Sequence, residues 1–539
     1  MSARRVRTAT AGATAAAVLA GVAACSAPGD GGGSGGGADA VTVGVAQEPE
    51  TLSPLLGYGK EGNSKIFDGL LAHDARMKLK PALATALPKV SDDGRTYTFT
   101  LRKGVKFSDG KPFTAQDVVY TYETILDKKT NNASKGELDA LDTVSAEGGS
   151  EGGGEKVVFR LKYPYAAFAE RTVLPIASKA VASKQNVNTG SYNTKPVGTG
   201  PYVLTNWRKG EKLSFKANAR YWGGRPTVKR FTVAIIEDDD VRATRLRSGD
   251  LDGAILPPNL AKTYKDSGDG ADKRVFSAKT ADYRAVTLPT GNPVTGDKAV
   301  RRALDVAVDR DAMVKSILNG AGKPAYGPLP VDGPWFAKGT ERPHDPAAAR
   351  KILDKAGWKP GKDGIREKDG ERAAFTLWYF SGDKLRQDHA LAYASDAKKA
   401  GIDVKVQAGS REVVRPRLKN DAMLMGNGFP ADPDFDLYPT LHSSQIGDGW
   451  NNMGYYDDET VDAQLDKGRR SRDTDERRTA YDKAQQALKK NPGYTFLTHI
   501  DHVYVLADKW QGLTTQVEPH DHGIGAGPWW NIQDWQPKK

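Results

Sequence analysis

The sequence predicts a multi-domain α/β protein, and three observations carry that reading. Signals of period 2 and period 3.6 alternate along the chain. No internal repeat accompanies them. The body that follows the first 24 residues is about 515 residues long, more than a single hydrophobic core organises, so two or three subdomains are expected.

Taken in order, Val41, Val43 and Val45 alternate with small or polar residues and read as a strand. Tyr97, Phe99 and Leu101 repeat the pattern. Thr114 with Asp117 forms a capping-box signal, and Val118, Val119, Tyr122, Ile125 and Leu126 give the helix behind it an apolar face. The glycine-rich loop EGGSEGGGE (147–155) then leads into a strand, VVFRL (157–161). FTVAII (231–236) and IDVKV (402–406) are further strands. Val300, Ala303, Leu304, Ala307 and Val308 share one helical face in a region that Asn319-Gly320 ends. Asp345-Pro346 supplies N-cap and first helical position for a helix that Gly357 stops. Thr474 opens a charged helix that ends before Asn491-Pro492.

The N-terminus predicts an exported chain. Arg4, Arg5 and Arg7 precede an Ala-rich apolar stretch, and no acidic residue occurs before Cys25, the only cysteine. One thiol forms neither an intramolecular disulfide nor a Cys-rich metal site. Val22-Ala23-Ala24-Cys25 resembles the lipobox of bacterial lipoproteins, which implies cleavage after residue 24 and a lipid on Cys25. Gly29 to Gly37 follow as a flexible tether. No later stretch has 18 uninterrupted apolar residues, so no other span is expected. The net charge of +11 is spread through interleaved acids and bases, as in DKGRRSRDTDERR (466–478), which reads as a solvated helix surface rather than a nucleic-acid stripe.

Eight segments in order carry a family resemblance: IFDGLL (66–71), DDGRTYTFTLRKGVKFSDGKPFTAQDVVYTYE (92–123), PVGTGPYVL (196–204), NARYWGG (218–224), LRSGDLDGA (246–254), VRRALDVAVDRDAMV (300–314), AAARKILDKAGW (347–358), and NMGYY (452–456) through Asp462. Together they resemble the family 5 extracytoplasmic solute-binding proteins of ABC importers, the dipeptide, oligopeptide and nickel-binding group. The resemblance runs from Val41 to the C-terminus. It implies a bilobed periplasmic-binding-protein-like fold with an additional subdomain. Lobe I would combine 41–75, 193–285 and 499–539, the additional subdomain 76–192, and lobe II 286–498. The hinge is expected at Tyr283–Pro289 and Tyr494–Asp501. The implied protein is a monomeric, lipid-anchored receptor outside the cytoplasmic membrane that closes on a small peptide and hands it to the permease. It needs no cofactor and binds no nucleic acid.

Within the resemblance, Lys106, Asp109-Gly110 and Gly198-Thr-Gly200 are expected to shape the scaffold. The informative segment for the ligand is LMGNGFPADPDFDLYPTLHSS (424–444). Peptide-binding members place an aspartate three residues before the Asp-Pro pair to meet the peptide's ammonium group; this chain has Phe429 there. Asp432 or Asp434 are candidate substitutes, with turn and helix capping as the alternative. Tyr58, Asn63, Trp450, Asn451 and Asn452 are further cleft candidates, because planar aromatics and amides suit a peptide or sugar.

Competing readings remain open at this point. The aromatics also suit an oligosaccharide. His499-x-x-His502 and His520-x-His522, with Asp501 and Asp521, are the histidine clusters that could serve nickel or a metal chelate. Asp432, Asp434 and Asp436 could be imagined as a glycosidase pair, but no catalytic set has a recognisable context, so an enzyme is not expected.

Overall fold

The computed structural model describes residues 39–538 apart from 133–134, 149–154, 267–271, 448–449 and 521–523. Cys25, the tether, the middle of the 147–155 loop, Asp521 and His522 therefore lie outside the described residues.

Two large sheets dominate. The first has seven strands, in the spatial order Lys273–Ala278, His502–Ala507, Gly253–Ile255, Ala40–Val45, Arg230–Ile235, Lys212–Ala217 and Tyr202–Arg208. Its centre is parallel: Val43 pairs with Val233 on one side and Gly253 on the other. Strands buried on both faces read as apolar runs, and Val41, Val43, Phe231 and Val233 are almost fully enclosed. The second sheet has six strands, with Tyr283–Thr287 between Tyr494–Ile500 and Ala422–Asn427. Every residue of Tyr494–Ile500 is buried.

The chain passes from the first sheet to the second at residues 279–282 and returns at Asp501. The two crossings touch. Ile500 N–H donates to Asp282 O at 2.9 Å, and the Thr280 hydroxyl donates to Ile500 O at 2.5 Å. The first crossing lies just before the expected 283–289 stretch, because Tyr283 already pairs with Asn427 and His499 in the second sheet.

A third sheet joins Lys89–Val90, Thr96–Thr100, Lys156–Leu161 and Leu141–Glu147, inside the 76–192 segment. The helix Ala115–Leu126 packs on it, with its start fastened as expected. The Asp117 carboxylate accepts from the Thr114 N–H at 2.9 Å and from the Thr114 hydroxyl at 3.1 Å. Edge-to-face contacts of Phe159 with Phe99, Tyr122 and Phe168 fill the space between, at 4.8–5.7 Å.

The expected helices form at Lys298–Ala307, Pro346–Lys355 and Thr474–Lys490. Asp473 caps the last by accepting from the N–H groups of Asp475 and Glu476. Gly198-Thr-Gly200 is a close-approach turn: a Cβ on Gly198 would lie 2.1 Å from Ile66 O. Thr199 and Trp222 then donate to Asp68, joining three of the recognised segments in one scaffold corner. Among the described residues no helix is long and apolar enough to cross a membrane.

Candidate functional site

The strand Ala422–Asn427 runs out of the second sheet into a loop and the helix Asp434–Leu441. Gly428 sits against Ala281 at the chain crossing, where a Cβ would come within 2.1 Å of a carbonyl oxygen. The loop is then pinned by its own aspartates. Asp436 accepts from the Phe429 N–H at 2.6 Å; it is buried, and that burial pushes its carboxyl well above the usual range. Asp432 accepts from Arg477 Nη2 at 2.6 Å and from the Asp434 N–H at 3.0 Å. Burial raises the Asp432 carboxyl too, against the pull of Arg477.

Asp434 faces residues of the 76–192 segment. Its carboxylate accepts from the Tyr165 hydroxyl at 2.7 Å and from the Tyr481 hydroxyl at 3.3 Å. Arg469 lies 3.8 Å from it and donates onward to Asp139 at 2.9 Å, with its guanidinium over the rings of Tyr438 and Tyr165. Arg171 covers the ring of Phe435 at 3.6 Å. The loop is thus tied to the 76–192 segment by buried, directional contacts.

Beside these ties lies a small pocket. Its polar lining is Lys60, Asn132, Glu137, Glu170 and Arg171, and Phe429 forms an apolar wall. Glu137 bridges Lys60 and Arg171, at 2.5 Å from each. Burial opposes the charges on Lys60 and Arg171, but Glu137 outweighs it and holds both pKa values above their ordinary values. Glu170 pairs with His73 Nε2 at 2.6 Å, yet burial still raises its carboxyl.

The sequence-predicted residues fall into three groups. Phe429 lines the cavity, and Tyr58 adjoins Gly57, which also lines it. Asn63 is half-buried with its carbonyl against Gly525. Asp432 and Asp434 serve the ties just described. The 450–452 loop is elsewhere: Trp450 meets the Phe380 ring at 5.9 Å, and Asn451 donates to Gln445. Asn452 is buried and fully occupied, donating to His442 O and Tyr456 O and accepting from the Tyr456 N–H and the Tyr494 hydroxyl. Its side chain holds that loop together.

The histidines gather at the chain crossings. Asp282, fully buried, meets Arg284 at 2.5 Å, His520 at 2.7 Å and His502 at 3.3 Å. His502 also meets Glu518 at 2.7 Å, and Glu518 accepts from the Tyr504 hydroxyl at 2.6 Å. His499 points elsewhere, against Tyr283, and burial pushes it down to about 4. Among the described residues no group of three or more His, Cys, Asp or Glu is placed to hold a metal ion.

Residues 78–448 match the family model of the bacterial extracellular solute-binding proteins, family 5 middle. The chain belongs to that family. Protein XP55 of Streptomyces lividans is 64% identical over 91% of this chain and 89% of its own. The oligopeptide-binding protein AppA of Bacillus subtilis is 29% identical over 86% of each chain. Among solved structures, NikZ from Campylobacter jejuni in complex with Ni(L-His) covers 93% of this chain and 100% of its own, at 31% identity and a TM-score of 0.83. AppA from Bacillus subtilis in complex with a nonapeptide covers 93% and 99%, at 27% identity and a TM-score of 0.79. The fold is therefore the bilobed one.

Sequence reasoning missed Lys60, Glu137, Glu170, Arg171 and Tyr165. All but Lys60 come from the 76–192 segment, where they sit in or beside short 3-10 segments with no periodic signal. The cluster YPYAAFAERTV (163–173), with aromatics and a Glu-Arg pair between apolar residues, was the available clue.

The Tyr165–Asp434 contact makes a direct expectation. Tyr165→Phe removes a hydrogen bond to a buried carboxylate, worth about 1.5–3 kcal/mol. The unfolding free energy should fall by about that amount. Calorimetric melting of the variant should show a midpoint below the parent's; identical midpoints would show that the Tyr165–Asp434 bond contributes nothing to stability.

Proposed function

We propose that this chain is the receptor of an ABC importer that captures peptides or peptide-like solutes between its lobes and delivers them to a membrane permease. One observation carries the ligand class. The pocket beside Phe429 combines Glu170, which has only a histidine against it, with apolar walls, which suits the ammonium end of a peptide. The relatives named for oligopeptides support it. A nickel chelate is the second reading, supported by the likeness to the Ni(L-His) complex.

In this reading Cys25 carries the lipid and Gly29–Gly37 hold the receptor off the membrane. The receptor acts as a monomer and performs no chemistry on the solute. Closure requires only that the ligand bind the closed form more tightly than the open one.

Native mass spectrometry of residues 38–539, purified without denaturation, tests the ligand class. Peptide masses released on activation are expected. A glycan or a nickel adduct in their place would refute the peptide reading.

A further inference from the structure

Where the family's peptide receptors place an aspartate, this chain places Phe429, so the ammonium of a bound peptide needs a different counter-charge. The nearby aspartates do not supply it. Asp432 is spent on Arg477, Asp434 on Tyr165 and Tyr481, and Asp436 on the Phe429 N–H, and none of the three lines the cavity.

We propose that Glu170, in the additional subdomain, receives the ammonium group of the ligand, and that Arg171 Nε donates to the carbonyl oxygen next to it. This deepens the peptide reading and rests on it. Four observations converge. Glu170 and Arg171 both line the cavity that Phe429 closes. Glu170 Oε2 is taken by His73, which leaves Oε1 with no hydrogen-bond partner among the described residues. Glu137 has two cations against it, whereas Glu170 has only a histidine, so Glu170 is the carboxylate of this cavity that lacks a permanent counter-charge. Arg171 is nine-tenths buried; its Nη1 is held by Glu137, while its Nε is buried without an acceptor. A buried donor without an acceptor is costly, and a ligand carbonyl would relieve it.

The chemistry singles out an α-amino acyl group. It presents an ammonium and a carbonyl oxygen a few atoms apart, and Glu170 and Arg171 both line the one pocket. Phe429 then changes role: it contributes an apolar wall for the first side chain and leaves the charge to the opposite face. Burial raises the Glu170 carboxyl, as expected for a carboxylate still lacking its cation.

The test offers residues 38–539, freed of ligand by unfolding and refolding, a defined set of tri- to pentapeptides and the same set N-acetylated. Bound species are read by native mass spectrometry and affinities by titration calorimetry, for the parent and Glu170→Gln. The glutamine keeps a side-chain oxygen for His73 and removes only the charge. The parent should retain free peptides and bind acetylated ones at least about tenfold more weakly, and E170Q should lose most of that difference. If neither set binds, the peptide reading itself falls. If both sets bind the parent equally, that reading stands and this assignment falls. If E170Q still discriminates as the parent does, Glu170 is not the counter-charge.

Discussion

Asp282→Ala is expected to lower the unfolding free energy by about 3–5 kcal/mol, the cost of leaving buried charges without their partner. Asp282 is fully enclosed at the first chain crossing and faces Arg284, His502 and His520 at once. Burial alone would raise its carboxyl, but Arg284 and His520, with the hydrogen bonds from His502 and His520, hold it well below the usual carboxylate range. Removing it takes the carboxylate from the buried Arg284 guanidinium, so the loss is far larger than for an exposed pair. The Arg208–Glu211 pair is the comparison: both side chains are more than half exposed, and Glu211→Gln should change stability by less than about 0.5 kcal/mol. Calorimetric melting of the two variants side by side checks the contrast. Equal midpoints would mean that the Asp282 cluster contributes nothing to holding the crossings.

The second large effect is on pH. Burial opposes the charge on His502, but hydrogen bonds to Asp282 and Glu518 push its pKa up to about 9. The folded value lies above the unfolded one near 6.5, so the stabilisation is complete below about pH 6.5 and disappears as pH rises to about 9. The shift corresponds to a contribution on the order of 3 kcal/mol. On the acid side the sign reverses. His389 and His499, buried and pushed down to about 4, favour the folded chain above about pH 6.5 and cease to do so as pH falls through 4. The melting temperature is therefore expected to peak near neutrality and decline towards pH 9, with His502→Gln flattening the alkaline decline. A parent whose midpoint is constant from pH 6.5 to 9 would contradict the charged His502.

How much of this was legible in the sequence differs from element to element. The strand at Ala40–Val45 and the helix at Pro346–Lys355 followed from alternation and capping, because local physics there agrees with the tertiary context. The order of segments led to the family and thus to the two lobes. The site was only partly legible. Phe429 was found because it breaks a pattern, but Asp432 and Asp434 became structural ties once their partners Arg477, Tyr165 and Tyr481 were known. Asn452 looked like a ligand amide, yet four backbone and side-chain partners occupy it. Glu170 and Arg171 were invisible because an ion-pairing Glu-Arg dipeptide on a surface helix reads the same way. Only the fold brings them opposite Phe429. Likewise, nothing in the spacing of His502 and His520 announces that Asp282, some 220 residues earlier, joins them.

Lobes that close around a solute are the centre of the proposed function. Small-angle scattering of refolded, ligand-free residues 38–539, with and without the free peptide set, measures that directly. The radius of gyration is expected to fall on addition of peptide, and to fall less in E170Q at equal concentration. Tight binding with no change in the radius of gyration would contradict capture by lobe closure.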